Sequence, residues 1–125
     1  MMPTVGTGSV VVHADVPSEP FVGGATYQHV VGDPPGSTPF RIGIQTSQPG
    51  YRTPLHSHPY TEALTILEGE GEAWMEGREI FPVSPGMTLV FPPRTKHWFR
   101  ALGGRPLITC GVHASPFRIV DVHQD

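Results

Sequence analysis

The sequence has very little cysteine and lysine, and each scarcity excludes a class of protein. Cys110 is the only cysteine among 125 residues, so no internal disulfide can form. Lys96 is the only lysine, and the net charge is -3 with histidine counted as neutral. Proteins that bind nucleic acids usually carry a basic stripe that contacts phosphates. We therefore expect no nucleic-acid partner.

Long hydrophobic runs are also missing. No apolar run approaches the roughly 20 residues that a membrane-spanning helix needs, so we expect no membrane partner. The N-terminal residues lack the positively charged segment, followed by an apolar segment, that forms a signal peptide. Together these absences predict a cytoplasmic protein.

Glycine and proline, by contrast, are abundant, with 15 residues of each. They stand between short runs of alternating apolar residues, a position typical of turns rather than of disorder. The hydrophobic content of 38% is high enough for a packed core. We therefore expect a single domain over residues 1–125, in which Met1–Thr7 is only loosely attached.

Short strand-like runs follow one another along the chain, and none is convincingly helical. Phe40–Thr46 alternates cleanly between apolar and polar residues, and Glu62–Glu68 places Glu62, Leu64 and Ile66 on one face. Many short strands at close spacing are typical of an all-β sandwich or barrel. The other predicted strands are Ser9–His13, Ala25–Val31, Glu72–Met75, Glu79–Phe81, Thr88–Phe91, Lys96–Arg100, Pro106–His113 and Phe117–Val122.

A pair of histidines lies in the segment Thr53–His58, which is extended because the prolines at 54 and 59 disfavour a helix. His56 and His58 are two residues apart, so on an extended chain both side chains project from the same face. Glu62 lies at the start of the next strand and meets them if the two strands are neighbours. Two imidazoles and a carboxylate form a ligand set that suits a first-row transition metal.

The residues around this pair resemble the two signature motifs of the cupin superfamily. The first motif, G-x5-H-x-H-x3-E-x6-G, is matched at every fixed position, by Gly50, His56, His58, Glu62 and Gly69. The second motif, G-x5-P-x-G-x2-H-x3-N, is matched by Gly86, Pro92 and His97. It departs at Arg94, where the family has glycine, and at Ala101, where the family has asparagine. The chain thus resembles the small single-domain bacterial cupins, which implies an all-β jelly-roll barrel, also called a double-stranded β-helix.

By this resemblance the metal ligands are His56, His58, Glu62 and His97. Three imidazoles and a carboxylate suit a divalent transition metal. Iron(II), manganese(II) and nickel(II) keep about two coordination positions open beside four protein ligands, and we favour iron(II) or manganese(II) because a mixed imidazole–carboxylate set suits both. Nickel(II) and zinc(II) are alternatives, although four ligands would saturate tetrahedral zinc. Glu62 is also the candidate catalytic residue, as a base that leaves the metal during a reaction.

Four further residues are candidates for the substrate pocket, which we expect to be mostly apolar with a few polar anchors. Arg41 and Gln45 lie on the second face of the strand that begins at Phe40. Phe99 lies two residues after His97 and shares its face, and His113 lies at the end of the predicted strand Pro106–His113. We therefore expect Arg41, Gln45, Phe99 and His113 near the bound molecule.

The resemblance implies a metal-dependent enzyme, in the first place an oxygenase-type enzyme such as a dioxygenase acting on a small polar organic molecule. Two alternatives stay open: a non-catalytic protein that binds or senses a small molecule, and a metal-dependent isomerase or lyase acting on sugars or sugar acids. Fold and metal alone do not name a reaction. Small cupins often pair through N-terminal strands, so we expect a homodimer formed through Ser9–His13.

Overall fold

The structure is a computed structural model that describes residues 8–21 and 23–125. In this part of the chain eleven β strands are present, together with a three-residue 3-10 turn at His13–Asp15. The strands are β1 (Glu19–Phe21), β2 (Ala25–Val31), β3 (Arg41–Ser47), β4 (His56–Ser57), β5 (Glu62–Glu68), β6 (Glu70–Met75), β7 (Phe81–Val83), β8 (Thr88–Phe91), β9 (His97–Leu102), β10 (Leu107–His113) and β11 (Asp121–Val122). Among the residues described, no helix is both long and apolar enough to cross a membrane.

The strands form two antiparallel sheets that pack face to face. One sheet has the order β1-β2-β3-β10-β5-β8, and the other has the order β11-β4-β9-β6-β7. The buried core draws side chains from both sheets, which places it between them. Its members are Leu64, Ile66, Ala73, Val83, Leu89, Phe91, Phe99, Ala101 and Leu107. This architecture confirms the predicted all-β class.

Strand β5 shows why the alternating pattern predicted a strand correctly. Glu62, Leu64 and Ile66 are buried, while the residues between them are only half-buried. Side chains of a strand alternate between its two faces, so a period of two in apolar character marks one face that turns inward. The predicted bounds, Glu62–Glu68, agree with the structure.

The prediction of a strand at Ser9–His13 is wrong. Residues 8–12 have no regular structure, and His13 begins the 3-10 turn. Val10 is 90% exposed and Val12 is 55% exposed, so these two β-branched side chains pack against little of the protein. Strand preference reflects packing against neighbouring strands more than an intrinsic property of the backbone. The segment through which a homodimer was expected therefore contains no strand. Met1–Thr7 lies outside the described residues.

Four predicted strands differ from β3, β6, β9 and β10 by one or two residues at their ends, and two other segments share at most two residues with the strands observed. Glu79–Phe81 is replaced by β7, which starts at Phe81 and contains Pro82. A proline fits there because β7 is an edge strand, where its missing N–H breaks no ladder. In Phe117–Val122 only the last two residues form a strand. The carbonyl of Ile119 accepts a hydrogen bond from His58 of the candidate site rather than from a neighbouring strand.

Candidate metal centre

Two neighbouring strands of the second sheet bring three histidines together. His56 begins β4 and is the direct register partner of His97, the first residue of β9. His58 follows β4 by one residue and lies on the same face as His56, as the two-residue spacing predicted. His58 is 3% exposed and His97 1%, so these imidazoles are enclosed by the barrel.

Glu62, at the start of β5, reaches the three imidazoles from the opposite sheet, so the expectation that its strand would lie beside β4 is wrong. Its Oε1 atom lies 3.2 Å from His58 Nε2 and 3.4 Å from His97 Nε2. One ligand atom from each of His56, His58, Glu62 and His97 lies within 4.8 Å of the others. The structure therefore brings together all four residues that the motifs singled out.

The carboxylate of Glu62 tests whether this cluster fits a metal ion. The side chain is 8% exposed, and Oε1 makes no hydrogen bond despite the two imidazole nitrogens near it. A buried polar oxygen without a partner is unfavourable, so buried carboxylates are normally paired, hydrogen-bonded or bound to a metal. The oxygen faces the Nε2 atoms of His58 and His97, and the combined set suits a divalent transition metal. The residues present therefore fit such an ion.

The backbone fixes which nitrogen of each imidazole could bind a metal. Each Nδ1 donates to a carbonyl oxygen: His56 to Pro54 at 2.7 Å, His58 to Ile119 at 2.6 Å and His97 to Thr95 at 2.8 Å. A carbonyl can only accept, so Nδ1 carries the proton and Nε2 keeps its lone pair. Such an outer hydrogen bond is typical of histidines that ligate metals.

The pKa shifts favour the protonation states that metal binding needs, which are neutral imidazole and ionised carboxylate. Burial, reinforced by the nearby His97, lowers the pKa of His56 to about 4. Burial raises the pKa of Glu62, but contacts with His58 and His97 outweigh burial and hold that pKa well below its usual range.

His113 contacts the other oxygen of Glu62, and Tyr60 in turn contacts His113. His113, at the end of β10, places Nε2 3.4 Å from Glu62 Oε2. Its Nδ1 lies 2.7 Å from the hydroxyl of Tyr60, which is buried. Burial raises the pKa of Tyr60 to about 12 and lowers that of His113 to about 4. The carboxylate can only accept, so His113 carries its proton at Nε2, and its Nδ1 accepts a hydrogen bond from the hydroxyl of Tyr60.

These residues open into a cavity of about 250 Å³ between the sheets. Gln45, Phe99 and His113 line it, as the alternation of their strands indicated. Arg41 does not: its guanidinium donates to the carbonyl oxygens of Asp33 and Pro116. Arg41 is the first residue of β3, where loop carbonyls are within its reach, so its charge is held outside the lining.

Several residues of the site escaped the sequence analysis, among them Tyr27, Tyr60 and Arg118. Tyr27 is buried in β2, and its hydroxyl occupies the space that a side chain on Gly43 would need. The alternation of Ala25–Val31 could have placed Tyr27 inside. Tyr60 and Arg118 lie outside strands, in segments where no periodicity indicates which way a side chain points.

The departure from the second motif at Arg94 has a structural counterpart. Arg94 has φ of 63°, and it is the only non-glycine residue with a positive φ among those described. Its backbone N–H donates to the carbonyl oxygen of His58 at 2.6 Å. The turn therefore keeps the conformation that suits glycine, and it ties the second motif to the first.

Comparisons with known proteins place the fold and the family. The cupin-domain family matches residues 43–112, more than half of the chain. L-ectoine synthase from Vibrio campbellii is 27% identical over 86 residues, which are 69% of this chain and 67% of that protein. (R)-mandelonitrile lyase from Granulicella tundricola is 39% identical over 56 residues, which are 45% of this chain and 43% of that protein.

A solved structure shares the architecture. A conserved protein with a double-stranded β-helix domain, from Klebsiella pneumoniae, superimposes with a TM-score of 0.76 at 17% identity. The superposition covers 95% of this chain and 100% of the other. This likeness confirms the predicted double-stranded β-helix. With the family match spanning both histidine motifs, the chain belongs to the cupin family.

Proposed function

We propose that this cupin binds a divalent transition metal through His56, His58, Glu62 and His97, and that it is a metal-dependent enzyme acting on a small organic molecule. The observation that carries the proposal is the buried Oε1 of Glu62, which has no hydrogen bond and faces imidazole nitrogens from a neighbouring sheet. A protein without a metal would leave that oxygen unsatisfied at a cost of about 1–3 kcal/mol.

Iron(II) or manganese(II) remains our proposal for the metal. Four protein ligands leave about two positions of an octahedral ion for substrate or water, whereas they would saturate tetrahedral zinc. When bound, such an ion supplies Lewis acidity, which polarises a substrate oxygen and makes a nearby proton more acidic.

The residues around the four ligands have distinct tasks in the proposed site. Phe91 stacks on His97 with ring centroids 3.8 Å apart, which holds that imidazole in place and keeps water away from one side. His113 orients Glu62 through Oε2, so that Oε1 is directed to the metal side. Gln45 and Thr109 add polar groups to the cavity wall. Glu62 is the candidate base, if it leaves the metal to accept a substrate proton at Oε1.

For the reaction, we propose chemistry that does not consume oxygen, of the lyase or isomerase type. The relatives named above are a synthase and a lyase, and neither name describes an oxygenase. The oxygenase expected from the motif resemblance is the competing proposal. The homodimer and the cytoplasmic location stay predictions from the sequence.

Product analysis with and without oxygen tests these proposals. Protein purified without oxygen is analysed for iron, manganese, nickel and zinc, and then incubated with a panel of 2-hydroxynitriles, amino acids, sugar acids and diketones. We expect about one metal ion per chain and turnover under strictly anaerobic conditions. Turnover only in oxygen would favour an oxygenase, and binding without turnover would favour a non-catalytic protein. Failure to retain any of these metals would overturn the proposed site.

A further inference from the structure

Arg118 is the only arginine or lysine among the described residues that line the cavity. Its guanidinium carbon lies 5.4 Å from the ring centroid of Phe21 and 5.5 Å from that of Tyr27. The two rings are stacked on each other at 5.0 Å. Contact with aromatic faces holds the cation in place without neutralising its charge.

Three other arginines have polar partners within the protein. Arg52 pairs with Asp125, Arg100 pairs with Glu72, and Arg41 donates to two carbonyl oxygens. By contrast, no carboxylate within residues 8–21 and 23–125 lies within 4 Å of a nitrogen of Arg118. A guanidinium beside a cavity, without an internal acid, is arranged to receive a carboxylate from a bound molecule.

The position of Arg118 in the chain connects it to the proposed metal site. The next residue, Ile119, accepts the hydrogen bond from His58 Nδ1, and its carbonyl also lies 3.3 Å from the hydroxyl of Tyr60. The charge of Arg118 also acts on Tyr51, which lines the same cavity. Burial raises the pKa of Tyr51, and the positive charge of Arg118 opposes that rise. Arg118 and the four ligands therefore belong to one cavity.

We propose that Arg118 binds the carboxylate of a small carboxylic acid with an apolar or aromatic body, whose other end faces His56, His58, Glu62 and His97. The aromatic and aliphatic walls of the cavity, formed by Phe21, Tyr27, Leu64, Phe91 and Phe99, would contact the body of the molecule. The contact of the molecule with the metal rests on the proposed function, while the contact of its carboxylate with the protein rests on Arg118 alone.

The test compares a carboxylate with its neutral analogue. Binding of phenylacetate and phenylacetamide is measured by calorimetry on the metal-loaded protein and on protein treated with EDTA. The variant is Arg118→Gln. The matched control is Arg105→Gln, which removes an exposed arginine from the loop before β10, outside the cavity. Metal content is measured on every sample.

We expect the wild type to bind phenylacetate at least about tenfold more tightly than phenylacetamide, in both the metal-loaded and the EDTA-treated form. Arg118→Gln should abolish this preference without changing the metal content, and Arg105→Gln should keep it. Equal binding of phenylacetate by Arg118→Gln and the wild type would overturn the proposal. So would a lack of measurable binding of phenylacetate, propionate and glutarate to the wild type.

The two proposals fail in different ways. A preference for the carboxylate in EDTA-treated protein that never retains metal would support the role of Arg118 and overturn the metal site. Normal metal content with no carboxylate preference would leave the metal site standing and overturn the role of Arg118.

Discussion

The two ends of the barrel interior differ in chemistry although the same strands build them. In β5, Glu62 faces one end and Ile66 the other; in β9, His97 and Ala101 divide in the same way. The apolar end is a closed core in which Ile66 is 1% exposed and Ala101 fully buried. The polar end holds a cavity, several buried imidazoles and a buried carboxylate oxygen without a hydrogen bond.

The apolar end mainly stabilises the fold, whereas the polar end holds the proposed metal site. Apolar surface removed from water stabilises the fold by about 25 cal/mol per Å², so the closed end contributes to folding. Buried polar groups oppose folding unless they are satisfied. The polar end is therefore a local cost in the protein alone, and a bound metal would offset it. Substitutions at one end should alter metal binding, and those at the other should alter the free energy of unfolding.

The largest effect is expected from His58→Ala, which removes a ligand at the polar end. Metal affinity should fall by at least about 100-fold, since loss of even an outer-shell partner typically costs 10–100-fold. Equilibrium dialysis followed by elemental analysis measures the affinity. His13→Ala, an exposed histidine in the 3-10 turn, is the matched control and should bind metal like the wild type. Full occupancy in His58→Ala would show that the ligand assignment is wrong.

A substitution at the apolar end should do the opposite. Ile66→Ala leaves a cavity in a closed core, and we expect a loss of about 2–5 kcal/mol in the free energy of unfolding. Urea unfolding of the metal-free protein measures it, and metal bound per folded molecule should not change. Ile80→Ala, at a side chain that is 55% exposed, should change stability by less than about 0.5 kcal/mol. A weaker metal affinity in folded Ile66→Ala would mean that the two ends are coupled.

A smaller effect on metal affinity is expected from Tyr60→Phe. The hydroxyl donates to His113, which in turn faces Glu62 Oε2, so its removal frees the carboxylate to rotate. We expect metal affinity to fall by roughly tenfold, at the lower bound for outer-shell partners. The same dialysis measures it. An unchanged affinity would show that His113 holds Glu62 without help from the tyrosine.

Much of this comparison was visible in the sequence, for physical reasons. A period of two assigned Glu62, Leu64 and Ile66 to one inner face, because side chains of a strand alternate whatever the fold. The same rule put His56 and His58 together. His97 was placed only by resemblance, since nothing local specifies which strand lies beside β4.

What escaped prediction depends on contacts between distant segments. Ser9–His13 has strand-like composition but no partner strand among the described residues, and composition alone does not report a partner. Arg118 lies in a segment without regular structure, and its role depends on the rings of Phe21 and Tyr27 from the opposite end of the chain. Side chains on irregular segments have no period that would reveal their direction.

The smallest expected effect concerns backbone strain at the polar end. Arg94 has φ of 63°, which costs a residue with a side chain about 1–2 kcal/mol. Arg94→Gly removes that strain, while the extra freedom of glycine in the unfolded chain costs about 0.5–1 kcal/mol. We therefore expect a net gain of about 0.5–1 kcal/mol relative to Arg94→Ala, which removes the same charge and keeps the strain. Thermal unfolding of the two metal-free variants measures the difference. Equal stabilities would mean that the turn relaxes in the alanine variant, and that the polar end carries no strain at this position.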